Sequence, residues 1–305
     1  MGTERSADKN ALAFCSIATS SHLHQAQLCL DSLRRHHPEA SLTLLLILQG
    51  EKPPEPAPGI RYLPIEDCVP AAQLASMTSR YNVAELCFAA KPYLIRHLLA
   101  GARQVHYLDG DCFAYAALRP LAEALDGGDV LLTPHSLTPI PDDGLRPRPL
   151  TILRAGAFNA GYIGVRDSEQ GRRFLDWLAA MTFAYGHNDP KAGMCGDQKW
   201  LDLAPALFEG AVICRHPGAN VGYWNLHERP LELDEEGRLL AGGRPLLFFH
   251  FSGYEPGQPR QLSRYQDRTP LLADSPLEAL LREYGAQLIR AVGAGPRWRW
   301  RVFGG

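Results

Sequence analysis

Apolar positions fall into two periods along this chain. Ala11 to Thr19 (ALAFCSIAT) and Ser41 to Leu48 (SLTLLLIL) are nearly unbroken apolar runs of strand length. That pattern predicts strands buried on both faces, as in a parallel sheet. Between them Leu23, Ala26, Cys29, Leu30 and Leu33 recur at helical spacing, after two serines suited to capping and before Pro38. A βαβ unit is therefore legible in the first 48 residues. The Pro/Gly-rich QGEKPPEPAPG is an exposed connection. IRYLPI, RQVHYL and DVLLT read as further strands, and Val83 to Ala100 reads as a helix. Pro92 inside it must begin a new helix or kink this one.

The second half is less regular. PHSLTPIPDDGLRPRP is a long Pro-rich loop, expected to be a functional lid or a disordered flap. FNAGYIGVR places glycine in a strand, a sign of close backbone approach. SEQGRRFLDWLAAMTFAYG and GDQKWLDLAPALF read as helices, and AVICR as a strand. A hairpin-like turn then precedes an apolar strand ending at His250. SPLEALLREYGAQLIRAV is a terminal helix, with Ser275 and Glu278 in capping-box spacing. The expected organisation is a polar tail (1–10), one α/β domain (11–274), and a C-terminal helix with a basic-aromatic tail (275–305).

Composition narrows the function classes. The 305 residues are 46% apolar and 21% charged, ordinary for a soluble enzyme. A net charge of −2 gives no basic field for nucleic acid. No apolar run approaches the roughly 20 residues of a membrane span. The polar start MGTERSADKN has no signal core, though Gly2 and Ser6 match the loose myristoylation pattern. Seven cysteines without a C-x-x-C pair read as reduced thiols, hence a cytoplasmic protein. The closing GPRWRWRVFGG alternates arginine with tryptophan. It reads as a frayed tail or as a weak anchor at an anionic membrane surface.

The candidate chemistry gathers where RQVHYL runs into Asp109, Gly110 and Asp111. Asp-Gly-Asp is good turn composition. Yet this pair ends an apolar strand, and ligands collect at strand ends in open α/β sheets. Two hard carboxylates suit Mg²⁺ or Mn²⁺, which in turn suits a diphosphate. His250, inside PLLFFHFSGY, is either a core histidine or the third ligand that such a pair lacks. Imidazole would favour Mn²⁺. Asp197 and Gln198 in CGDQKW read as a helix cap or as a carboxylate and amide facing a sugar. Asn159, unfavourable in a strand, needs a specific polar partner. GANVGYWNLHER holds Tyr223, Trp224, Asn225, Glu228 and Arg229, and reads as an ordered loop or a binding wall. Lys91, in an apolar stretch, is a snorkelling lysine or a counter-charge near a diphosphate.

In this order the segments FCSIATSSHLHQAQLCLDSL, AAKPYLIRHLL, VHYLDGDCFAYAALRPL, FNAGYIGV, GDQKWLD and FFHFSGYEP resemble the GT-A glycosyltransferases. Within them the likeness is to the glycogenin and lipopolysaccharide galactosyltransferase group, glycosyltransferase family eight. The resemblance implies a Rossmann-like α/β fold with a mostly parallel central sheet, a nucleoside diphosphate sugar donor (UDP-sugar foremost), and Mn²⁺ or Mg²⁺. It assigns the metal to Asp109, Asp111 and His250. It places Asp197, Gln198, Asn159, Ala160 and Gly161 at the donor sugar and Ala18 and Thr19 at the base. Gly110 and Gly253 belong to the same donor motifs. The family's K-P-W segment, whose lysine touches the diphosphate, is absent here. Lys91, Arg80 and Arg229 are the candidate replacements.

The implied reaction is glycosyl transfer to a saccharide, lipid-linked or protein acceptor, with retention of configuration. No carboxylate declares itself a nucleophile, so front-face attack assisted by the leaving phosphate is expected. An inverting enzyme would need a general base, for which Asp197 or Glu228 could serve. A phosphatase-like D-x-D hydrolase and a non-catalytic carbohydrate-binding protein are the rival classes.

Overall fold

A computed structural model describes residues 12–48 and 50–293. The N-terminal tail with its Gly2 pattern and the Arg–Trp tail lie outside the described residues.

The first half alternates strands and helices as the apolar periods predict. In order come β1 (Leu12–Thr19), α1 (Leu23–His36), β2 (Ser41–Ile47), β3 (Arg61–Pro64), α2 (Ala71–Arg80) and α3 (Val83–Leu99). Then follow β4 (Gln104–Leu108), β5 (Cys112–Ala114), α4 (Arg119–Asp126), β6 (Val130–Pro134), α5 (Pro149–Ala155), β7 (Phe158–Arg166) and α6 (Glu169–Tyr185). The rest comprises β8 (Asn188–Asp189), β9 (Met194–Cys195), α7 (Ala204–Leu207), β10 (Ala211–Ile213), β11 (Leu231–Leu233), β12 (Leu239–Ala241), β13 (Arg244–Pro245), β14 (Phe248–His250) and α8 (Pro276–Gly293).

Seven strands form the central sheet in the order β10-β6-β7-β4-β1-β2-β3. Only β7 runs against its neighbours β4 and β6; the other pairings are parallel. Both faces are covered, as the unbroken apolar runs require. Alternate residues of β1 divide between them. Ala13, Cys15 and Ile17 pack under α3 and α6, while Phe14 and Ala18 pack under α1. A third core forms where α8 closes over β5 and β14, with Tyr284 stacked on Phe251 at 3.6 Å between ring centroids.

Four parts of the chain differ from the sequence expectation or go beyond it. α3 runs through Pro92 as one helix, so no second helix begins there. Its start is fixed by a capping box, Asn82 accepting from Ala84 and Glu85 backbone while Glu85 accepts from Asn82. Its apolar flank is buried in the core, which offsets the missing proline donor. α2 and α5 bury little, only Met77 in the first and no residue in the second, with Leu74 of α2 packed against the core. Gln198–Leu203 is a 3-10 helix followed by the short α7, not one helix, with Pro205 in its first turn.

Candidate active site

The sheet brings the chemistry to one edge. β1 and β4 are parallel neighbours, so Thr19 and Asp109 emerge at the same C-terminal end. β7 runs antiparallel with Tyr162 opposite Leu108, so its first residues, Asn159 to Gly161, reach that end as well. Asp109 N donates to Gly161 O at 2.9 Å. Beyond Gly110 the chain returns as β5, which pairs with β14 so that Cys112 faces His250 across the ladder. Phe251 N donates to Asp111 O at 2.8 Å, locking the distant histidine strand to the aspartate turn.

His250 Nε2 lies 3.0 Å from Asp111 Oδ1 and 4.0 Å from Asp109 Oδ2. The other ring nitrogen, Nδ1, is 3.2 Å from Asn220 Oδ1. Asn220 in turn donates through Nδ2 to Thr133 Oγ1 and Asn159 Oδ1. This chain makes Nδ1 the donor and turns Nε2 toward the carboxylates, the arrangement that orients a ligating histidine. Gly161 is required beneath the ring: a Cβ there would stand 2.3 Å from His250 Cε1. Burial opposes charge on both partners, but their mutual attraction prevails. It holds Asp111 below the ordinary carboxyl value and His250 above the ordinary imidazole value. Among the described residues, the groups whose ligand atoms lie within 4.8 Å of one another are Asp111, Cys112 and His250, with Asp109 just outside that set. Burial pushes the Cys112 thiol well up, so it stays protonated, directed at Gly161 O. Two carboxylates and one imidazole remain as a donor set that fits Mn²⁺ or Mg²⁺.

Lys91 is the electrostatic hinge of the site. It is 2% exposed, with Nζ 3.2 Å from Asp109 Oδ1 and 3.1 Å from Asp197 Oδ2, and it donates to Ala160 O at 3.0 Å. Burial works against its charge, yet the two carboxylates raise its pKa above the ordinary lysine value. Asp197 is equally buried; desolvation lifts its carboxyl to about 6, against the pull of Lys91. Gln198 Oε1 accepts from Ala160 N and Asn159 Nδ2, and its Nε2 donates to Ala155 O. Thus Asp197, Gln198, Asn159, Ala160 and Gly161 form one bonded patch beside Asp109. A cavity of about 600 Å³ opens on Asp109, lined among others by Thr19, Lys91, Gly110, Asp111 and Gly253; the five patch residues and His250 stand behind that wall rather than in it. Ala18 is buried just behind this wall.

The expected binding wall is largely turned inward. Trp224 sits edge-on to His250 with ring centroids 5.2 Å apart and is 2% exposed. Asn225 bonds Gly222 N, His135 O and Asn220 O. Glu228 accepts from Leu137 N, Thr138 N and the Thr138 hydroxyl, so it pins the Pro-rich loop. Asp267 and Arg268 tie the same loop further along. Arg229 is buried and bonded to Glu228, Pro217 O and Ala219 O. Tyr223 is half-buried against Tyr265. Arg80 lies over Phe183 and donates to its carbonyl. Asn220, Thr133 and His135 join the site without having been singled out in the sequence. The positive φ of Asn220, 52°, is a conformation asparagine tolerates, but only the fold reveals the need.

With this geometry the likeness to solved proteins can be placed. The galactosyltransferase LgtC, solved with donor and acceptor sugar analogs, superposes with a TM-score of 0.52 at 14% identity, covering 90% of this chain and 95% of that one. The glycosyltransferase GlyE of Streptococcus pneumoniae TIGR4 gives 0.51 at 14% identity, over 93% of this chain and 64% of GlyE. The fold is GT-A-like. In sequence, the uncharacterized protein YfnF of Bacillus subtilis strain 168 is 25% identical over 265 residues, 84% of this chain and 86% of YfnF. YfnD of the same organism is 23% identical over 253 residues, 79% of this chain and 77% of YfnD. No family model matches the chain. No helix among the described residues is long and apolar enough to cross a membrane.

Proposed function

We propose that this chain is a metal-dependent glycosyltransferase of the family-eight type. It would move a sugar from a nucleoside diphosphate sugar, UDP-sugar foremost, to a saccharide, lipid-linked or protein acceptor. The carrying observation is that buried His250 converges on Asp109 and Asp111, which line the cavity on the C-terminal edge of a GT-A-like sheet. These three residues would hold Mn²⁺ or Mg²⁺, which when bound supplies charge neutralisation at the departing diphosphate. Asn220 fixes the face that His250 presents. Lys91 bridges Asp109 and Asp197, balancing their charge, and holds the Ala160 carbonyl in place. Gln198 and Asn159, each already bonded to the β7 backbone, would brace that segment behind Asp109, on the side of the cavity where the donor sugar would lie. Ala18 and Thr19 would meet the base. The site of action would be the cytoplasm, with contact at the inner face of a membrane.

Retention follows if attack comes from the leaving-group side, with no protein carboxylate as nucleophile. The inverting alternative would need Asp197 as its base, but that carboxylate is buried against Lys91 and does not line the cavity. Glu228 is not available for that role, being fully engaged by the loop backbone. A thermal-shift screen of nucleoside diphosphate sugars with Mn²⁺ tests the reading, since a ligand of the native state alone raises the midpoint. If no nucleotide sugar and no diphosphate shifts it, the proposal fails. Proton NMR of the first product then separates the two stereochemical outcomes.

A further inference from the structure

A diphosphate would bring negative charge to a cavity whose walls already carry Asp109 and Asp111. Among the described residues, the basic groups lining that cavity are His22, Lys91 and Arg264. Lys91 is buried and committed to two carboxylates and a carbonyl. His22 Nδ1 is held by the Thr19 and Ser21 hydroxyls. Arg264 differs from both. Its side chain is 49% exposed, and its guanidinium pairs with Glu255 at 3.2 Å, a second exposed residue of the same wall. It also donates to the Tyr265 hydroxyl at 2.7 Å and lies 4.9 Å from that ring's centroid.

The backbone beneath Arg264 is fixed to the histidine motif itself. Arg264 N donates to Gly253 O at 3.1 Å. Gly253 has φ +71°, and a Cβ there would stand 2.7 Å from Ser263 Oγ and 2.6 Å from Tyr265 Cδ2. Only glycine lets the Ser263–Tyr265 turn seat on the segment that follows His250. The turn therefore carries a cation to the cavity from a rigid base, on a side chain free to change partner. An exposed carboxylate pair is a weak restraint. Phosphate oxygens accept both arms of the guanidinium fork and hold it better.

We propose that Arg264 is the side chain that binds the donor's diphosphate, and that Glu255 holds it at the cavity wall until the donor displaces that carboxylate. The inference rests on the glycosyltransferase reading. It supplies the cation that the absent lysine of the K-P-W segment leaves wanting, from a later stretch of chain.

Isothermal calorimetry with UDP, GDP and ADP, each with Mn²⁺ and each beside its free nucleoside, tests it. For the tightest diphosphate, Arg264→Ala weakens binding on the order of 10- to 100-fold, the range for hydrogen bonds to a charged group. Nucleoside binding stays unchanged. Arg264→Lys recovers part of the loss, restoring the charge but not the fork. Glu255→Gln tightens the diphosphate by about 2- to 5-fold. An unchanged melting midpoint without ligand confirms that the variants fold. Equal diphosphate binding by wild type and Arg264→Ala overturns the Arg264 assignment alone, as does a matching loss for the nucleoside. Weaker binding by Glu255→Gln overturns the role of Glu255. If the wild type binds none of the three diphosphates, the glycosyltransferase reading falls and takes this inference with it.

Discussion

Replacing Lys91 with methionine keeps the stem and removes the ammonium from between two carboxylates. The side chain is 2% exposed, and so is Asp197, so water cannot stand in for the lost charge. Breaking a buried pair from one side costs about 3–5 kcal/mol, because the partner charge is left uncompensated. At roughly 2 °C per kcal/mol for a chain of this size, the melting midpoint should fall by about 6–10 °C. The deficit should depend on pH with a defined sign. In the wild type the raised pKa of Lys91 means its contribution is fully present below the ordinary lysine value and constant from pH 5 to 9. In Lys91→Met the Asp197 carboxyl, already lifted to about 6 by burial, moves higher. The native state then keeps a proton that the unfolded chain has released, so stability drops as pH rises from about 4 through the folded pKa. The gap to wild type therefore widens from pH 5 to pH 8. Adding Asp197→Asn should recover about half of it at pH 8. Urea unfolding at several pH values measures all three quantities. A deficit under about 1 kcal/mol, or one that does not change with pH, refutes the account of Lys91 as the charge that permits both aspartates.

Other perturbations reach the remaining parts of the site. Asp111→Asn and His250→Ala should each abolish the Mn²⁺-dependent rise in melting midpoint. Asn220→Ala leaves every proposed ligand in place but frees the His250 ring, and should weaken Mn²⁺ binding by about 10- to 100-fold in calorimetry. Gly161→Ala should do more, because its Cβ would lie 2.3 Å from His250 Cε1 and force the ring away. Glu228→Ala releases the Leu137 and Thr138 amides and leaves Arg229 buried without its carboxylate. Limited proteolysis should then cut within residues 135–148 faster than in the wild type.

What could be read from the chain follows from how local the cause is. β1 and β2 were legible because a strand buried on both faces needs a nearly unbroken apolar run, while β4 was legible from Val105, Tyr107 and Leu108 although it also buries Gln104 and His106. Asp109 and Asp111 were legible because they stand at that strand's end. α2 and α5 were not: α2 spaces only Ala71, Leu74 and Met77 along one face of a short helix, and α5 is a seven-residue helix that buries nothing. The partners of Lys91 were beyond reach as well. Lys91 stands on a helix, Asp197 precedes a 3-10 turn, and only the packing of α3 beside the antiparallel β7 makes them neighbours.

The GANVGYWNLHER loop shows the limit most clearly. Its aromatic, amide and charged residues have the composition of a binding wall, yet Trp224, Asn225, Glu228 and Arg229 face inward. Composition cannot tell a wall from its scaffold, because both need polar groups with defined partners. What separates them is whether those partners are supplied by the protein. For Asn225, Glu228 and Arg229 they are, so these side chains have little left to offer a ligand. Asp109, Asp111 and Arg264 keep exposed atoms on the cavity, and it is there that an incoming charged group gains most by binding.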